Sequence, residues 1–184
     1  IDAHANKLTV NIHHNTITGR GLLESGDEVQ NGVVIMDGAA GTVNNNTISN
    51  NIISNTIYND GLYLENCSSN TINGNVLTNN KKYGIFLSNS GNNNLSGNIV
   101  TNNKYNFGIE GQSLEDFVQT IDEINTVDGK PICYWVNRQN EPVPADSGFV
   151  ALINSRNITV SGLTLMKNSH GLLLVNTNIS KIES

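Results

Sequence analysis

Glu65 and Glu110 are the carboxylates whose spacing first suggests chemistry. Each follows a short apolar segment led by glycine, Gly61-Leu-Tyr-Leu-Glu65 and Gly108-Ile-Glu110. If the segments stack two layers apart at the strand spacing, the acids stand about 9.6 Å from each other. That is the far edge of the range for an inverting glycosidase and too long for a retaining one, so two solvated acids are expected. Adjacent His13 and His14 on a strand would face opposite sides, His4 and His170 lie far off in sequence, and Met36 and Met166 form no copper-handling tract. The run from Arg20 through Glu24, Asp27 and Glu28 lacks the ligand ladder of a calcium loop and reads as a solvated acidic loop. No metal and no cofactor is expected. Cys67 and Cys133 have no metal-ligand spacing and make no disulfide scaffold, which leaves an intermolecular cross-link as their candidate use. No Gly-x-Ser-x-Gly elbow is present. Tyr63, Phe86 and Trp135, with Glu110, are candidates for binding, because flat rings stack on sugar faces.

These residues sit in a chain of unusual composition. Of 184 residues only 14% are charged while 33 are asparagine, and the formal net charge is −6. Three prolines and plentiful Ile, Val, Leu and Phe oppose disorder. The longest basic run is Lys81-Lys82, which excludes a phosphate-binding footprint and hence nucleic acid. No stretch approaches the roughly 20 apolar residues of a membrane span. The sequence opens on Ile1 without a signal-peptide pattern, so a processed or excised part of a larger protein is expected. Asn-x-Ser/Thr sequons at Asn45, Asn66, Asn94, Asn157 and Asn178 suit a glycosylated surface protein, although an Asn/Ser/Thr-rich repeat also produces them by composition alone.

The elements that must position the candidates come from an internal repeat. Gly32-Val-Val-Ile35, Gly61-Leu-Tyr-Leu64, Gly84-Ile-Phe-Leu87, Gly108-Ile109, Gly148-Phe-Val-Ala151 and Gly171-Leu-Leu-Leu174 recur, three of the intervals being 23 or 24 residues. Asn before an apolar residue recurs in phase, as at Asn70-Thr-Ile72, Asn93-Asn-Leu95 and Asn157-Ile158. Period-2 alternation in short segments punctuated by Asn, Gly and Ser is strand chemistry, and Asn, Gly and β-branched residues disfavour helix. About 23 residues with three short strands and three bends make one coil of an all-β, parallel β-helix spanning 1–184 as a single domain. Ile, Leu and Val columns would fill it, and stacked Asn amides would form ladders at the bends.

Two intervals break the rhythm. About 12 extra residues near 18–30 are expected to project as a loop. A longer interruption at 112–147 holds Leu114–Ile124, expected as a short helix or strand, and then Asp128-Gly129 between apolar runs, a tight hairpin signal. Pro142 and Pro144 would lead the chain back into the coils. With Val33, Leu62, Ile85, Ile109, Phe149 and Leu172 inward, the outward column reads Val34, Tyr63, Phe86, Glu110, Val150 and Leu173. It is mostly apolar, so a loop, a partner subunit or a sugar should cover it. Cys67 should share a coil position with Ser90.

The repeats, together with Ile121-Asp, Asn125-Thr-Val-Asp-Gly-Lys-Pro-Ile-Cys-Tyr-Trp-Val-Asn137 and the following Gly148-Phe-Val-Ala-Leu-Ile-Asn154, resemble the NosD-type right-handed parallel β-helix family from about Gly32 onward. The resemblance implies right-handed coiling and a cell-surface or extracellular location of the kind found in methanogenic archaea; the family's copper-enzyme maturation role maps onto no residue here. The polygalacturonase signatures Asn-Thr-Asp, Asp-Asp and Gly-His-Gly are missing, Ser169-His170-Gly171 being a partial echo. The expected function is therefore a non-catalytic structural protein of the cell envelope. It would self-associate through its coil ends or outer apolar column into a surface layer, sheath or filament. The alternative is a carbohydrate-binding or polysaccharide-cleaving module.

Overall fold

The structure, a computed structural model, describes residues 2–4, 11–18, 32–36, 44–57 and 59–183. Five coils follow one another. Strands β1 (Asp2–His4), β2 (Asn11–His13) and β3 (Thr16–Thr18) make the first, and β4 (Val33–Met36), β5 (Thr47–Ser49) and β6 (Ile52–Ser54) the second. The third is β7 (Leu62–Glu65), β8 (Thr71–Asn73) and β9 (Val76–Thr78); the fourth is β10 (Tyr83–Ser88), β11 (Asn94–Ser96) and β12 (Ile99–Thr101). The fifth is β13 (Tyr105–Glu110), β14 (Thr120–Ile121) and β15 (Thr126–Val127). Equivalent strands pair in parallel, giving sheet A (β1-β4-β7-β10-β13), sheet B (β2-β5-β8-β11-β14) and the start of sheet C (β3-β6-β9-β12-β15). The expected parallel solenoid with coils of about 23 residues is what forms.

Alternation explains the core. Ile12, Ile48, Ile72, Leu95 and Ile121 stack inward from sheet B, and Ile53, Leu77, Val100 and Val127 from sheet C. Each is flanked by residues on the other side of the strand, exposed or half-buried except for Ser54 beside Ile53.

The asparagines do two different jobs. From the exposed Asn15 a ladder runs through the buried Asn51, Asn75, Asn98 and Asn125, the Oδ1 of each of these four accepting from the main-chain N–H and side-chain Nδ2 of the asparagine one coil before. Asn46, Asn70 and Asn93 form a second that ends on Gln119, and Thr56, Asn80, Asn103 and Asn106 a third. The residue just before most ladder members is in the left-handed region, as at Asn50, Gly74, Asn79, Asn92, Gly97 and Asn102. Asn and Gly are the residues that adopt this conformation most readily. Hence the repeated Asn-Asn and Gly-Asn pairs: one residue turns the chain and the next ties the turn to its neighbours.

Three expectations about placement are corrected. The strands led by Gly148 and Gly171 do not stack on those led by Gly32, Gly61 and Gly84. The hairpin at Asp128 (φ 46°) and Gly129 (φ 79°) forms as its sequence predicts, and it reverses the chain. Strand β16 (Lys130–Val136) therefore runs antiparallel to β15, and β17 (Phe149–Ile153) and β19 (Leu172–Val175) extend sheet C beyond it. Secondly, Gly108 pairs with Phe86 rather than with Gly84, so Phe107 takes the inward place and Ile109 follows Leu87. The step here is 22 residues, as the Ser88–Glu110 contact records. Thirdly, Val150 pairs with Leu172 and Ala151 with Leu173, so Leu173 packs on the main core and Leu172 on the opposite face.

That opposite face is covered by the chain itself. Cys133, Trp135, Val150 and Leu152 pack against Val143, Ile158 and Val160, the last lying in β18 (Thr159–Ser161), which pairs with β20 (Lys181–Glu183). Sheet C thus separates two cores. Within 112–147, Glu115–Phe117 is a 3-10 turn, while Thr120–Ile121 and Thr126–Val127 are coil strands in register with β11 and β12. Strand bounds also divide the early surplus: 14 residues separate β3 from β4 against 7 between β6 and β7, and 10 separate β4 from β5 against 5 between β7 and β8. Apart from Thr18, the segment 18–30, with Arg20, Glu24, Asp27 and Glu28, lies outside the described residues.

Candidate functional site

The outer surface of sheet A carries a continuous strip of aromatic rings. Tyr63 and Phe86 are cross-strand neighbours with ring centroids 5.8 Å apart and planes 10° from parallel. Phe86 stacks on Tyr83 at 4.4 Å and 12°, and Tyr83 meets Tyr105 at 5.1 Å; Phe86 is itself only 8% exposed, so the accessible rings are the half-buried Tyr63, Tyr83 and Tyr105. The strip is continuous because of Gly108. A Cβ there would lie 2.8 Å from both Phe86 and Tyr83 ring atoms, so only glycine leaves room for the rings to lie over the next strand. Offset-stacked pairs contribute about 0.5–1.5 kcal/mol each beyond their burial. Lys82 Nζ lies 5.3 Å from the Tyr83 centroid and Lys104 Nζ 5.3 Å from that of Tyr105, within cation–π range.

Acids flank the strip. Asp60 accepts from the Tyr83 main-chain N–H at 2.8 Å; burial raises its carboxyl, against the pull of that N–H and of Lys82. Glu65 and Glu110 fall in one column across Ser88, two strands apart as expected, and Ser88 Oγ donates to Glu110 Oε1 at 2.9 Å. Glu110 therefore belongs with Glu65 and not, as the sequence column had it, with Tyr63 and Phe86. The Tyr63 hydroxyl is pushed up to about 12, first by burial and then by the charge and hydrogen bond of Glu65. Past Lys104 the strip opens onto a shallow groove of about 560 Å³ lined by Asn55, Ile57, Asn79, Lys81 and Asn102. Rings for a sugar face, with amides, ammonium groups and carboxylates around them for hydroxyls, are the chemistry of saccharide binding.

The remaining candidates lie elsewhere. Trp135 is only 7% exposed, locked in the second core with Arg138 over its ring at 5.2 Å, so it offers no free stacking face. Cys67 and Cys133 are each 1% exposed. Cys67 does share its coil position with Ser90, whose Oγ accepts from the Cys67 N–H, and burial pushes the Cys133 thiol up to about 12. The expected intermolecular cross-link has no accessible sulfur in the folded chain. His14 is not on the strand but in a left-handed turn (φ 56°), which swings its Nδ1 to 3.3 Å from that of His13; the expectation that the two rings diverge is thus overturned. Among the described residues no cluster of three or more metal-ligating side chains occurs.

A family model described as a right-handed β-helix region matches residues 4–116. The chain belongs to the right-handed β-helix family. No curated protein and no solved structure matches it. The matched span ends just after β13, so it contains the whole aromatic strip, and the β-helix fold is consistent with a structural or binding module. The β-helix coils account for two residues of the strip that sequence reasoning missed. Tyr83 and Tyr105 each follow a lysine, in Lys82-Tyr83 and Lys104-Tyr105, and this repeated pair was the available signal. It was hidden because counting by glycines puts Gly108 beneath Gly84.

Proposed function

We propose that this β-helix is a non-catalytic module of the cell envelope, of NosD-like kind, that holds a polysaccharide along the half-buried Tyr63, Tyr83 and Tyr105 rings packed around Phe86. The supporting observation is the strip itself, ending in a groove of amides and lysines. Polar rims around a hydrophobic platform fix orientation, and the rings supply contact area at small entropic cost. Catalysis is not favoured, because Glu65 and Glu110 stand two strands apart and Ser88 occupies the place between them. An extracellular or cell-surface location follows from the ligand class. On an array of neutral and acidic polysaccharides the protein should retain at least one glycan. Tyr105→Ala, which removes one stacked ring, should weaken that binding about tenfold, the equivalent of roughly 1.4 kcal/mol. Binding unchanged by both Tyr105→Ala and Tyr63→Ala, with the far-UV spectrum intact, overturns the proposal.

Self-association is the second reading, and a different surface favours it. Ile52, Val76 and Ile99 line up in register on the outer face of sheet C, with Ile52 45% and Ile99 49% exposed. This column, rather than the sheet A column expected from sequence, is the apolar face for lateral packing into a layer or filament; end-to-end pairing through coil ends belongs to the same proposal.

A further inference from the structure

We infer that Asn45, Asn66 and Asn94 are sites of N-linked glycosylation, an inference that rests on the cell-surface location proposed above. They open the triplets Asn45-Asn46-Thr47, Asn66-Cys67-Ser68 and Asn94-Leu95-Ser96. Asn94 opens a strand, where the first and third residues of a triplet share a side, whereas Asn45 (φ 61°) and Asn66 (φ 53°) stand in left-handed turns. Here the middle residue is the buried one in every case: Asn46, Cys67 and Leu95 are each 1% exposed. The asparagine is exposed and the hydroxyl residue partly so, the Ser96 and Ser68 hydroxyls donating to Asp122 Oδ2 at 2.6 Å and to Asn44 Oδ1 at 3.2 Å. The ladder asparagines are excluded by the same geometry. Two residues after Asn51, Asn70, Asn75, Asn93 and Asn98 comes an inward apolar side chain, Ile53, Ile72, Leu77, Leu95 or Val100, so no buried amide is spent on a sequon.

Position adds a second observation. Asn45 precedes β5, Asn66 follows β7 and Asn94 opens β11, which places all three at the bend from sheet A to sheet B or just beyond it. The groove with Lys81 and Lys104 lies at the other edge of sheet A, between sheets C and A. Glycans on the three would therefore clothe one flank and leave the aromatic strip and the Ile52–Ile99 column bare. Asn157 and Asn178 differ: they stack on adjacent rungs, the Asn157 N–H donating to Asn178 O at 3.0 Å, and the Asn157 amide is held by Asn140.

In the reaction the Asn Nδ2 attacks the anomeric carbon of a polyprenyl-(di)phosphate-linked saccharide. The C–N bond forms, the C–O bond to phosphate breaks, the (di)phosphate leaves as the anion, and the amide proton goes to a base. The test takes protein from the cells that produce it, maps its location by protease shaving, and sequences chymotryptic peptides by tandem mass spectrometry. Saccharide mass should sit on Asn45, Asn66 and Asn94, and each increment should vanish in Thr47→Ala, Ser68→Ala or Ser96→Ala respectively, with the far-UV spectrum kept. Unmodified asparagines on protein shaved from the surface overturn this inference and leave the surface location standing. Protein found only inside the cell overturns both.

Discussion

A buried amide in this chain is satisfied only by the coils on either side of it. Asn75 accepts the Asn51 N–H and Nδ2, and its own Nδ2 donates to Ile48 O and Asn98 Oδ1. Asn75→Ala strands those partners in a dry interior, where each orphaned group costs about 1–3 kcal/mol. The expected loss is about 3–5 kcal/mol, read from denaturant midpoints, whereas Asn79→Gly at an exposed left-handed turn should change stability by under about 1 kcal/mol. The thiols make a second residue-scale prediction. Both are buried, and Cys133 is held up to about 12, so a thiol reagent at pH 8 should label neither until denaturant is added. The ladders were legible in sequence from the abundance and phase of asparagine. The second role, the left-handed turn, was not, because the same residue type serves both and only the backbone tells them apart. Burial of Trp135 was hidden for a related reason: of its covering residues, Val143 lies outside the repeat, and Ile158 and Val160 follow the repeat's Asn157 and read as one more coil rather than as a cover.

Strands and their registers set what the residues can do together. Periodicity identified the coils, and Asp128-Gly129 identified the hairpin; the direction of the chain after that hairpin was not readable, since a strand led by glycine looks the same on either side of a reversal. Register was lost where one coil is shorter, at Tyr105–Glu110, and with it went the aromatic strip. Gly108→Ala would force a Cβ to within 2.8 Å of two rings; separation of Tyr83 from Phe86 should cost about 1–3 kcal/mol and weaken glycan binding together with stability. The tyrosines also respond to pH. Tyr63 in the folded sheet releases its proton near 12 against about 10 unfolded, and Tyr83 and Tyr134 are raised as well, all chiefly by burial. A neutral group kept protonated by the fold stabilises it below pH 10, and that contribution is lost as pH rises from about 10 to about 12. Tyrosinate absorbance should therefore rise late and together with the loss of strand signal.

For the whole molecule, three sheets give three outer surfaces of different chemistry: rings and charges on sheet A, polar side chains and sequons towards sheet B, and an isoleucine column on sheet C. No helix among the described residues is long and apolar enough to cross a membrane. If the isoleucine column packs laterally, Ile99→Lys should shift light-scattering mass to monomer without changing glycan retention; equal association in the variant would move the contact to the coil ends or remove it. The central claim is that the strip binds saccharide and does no chemistry on it. Its most direct test is to incubate the protein with the glycan it retains best, following bound protein and new reducing ends or unsaturated products in the same samples. Saturable binding that falls in Tyr105→Ala, with no product formed over hours, is the predicted result. Product release that disappears in Glu110→Gln would contradict it and make Glu65 and Glu110 catalytic.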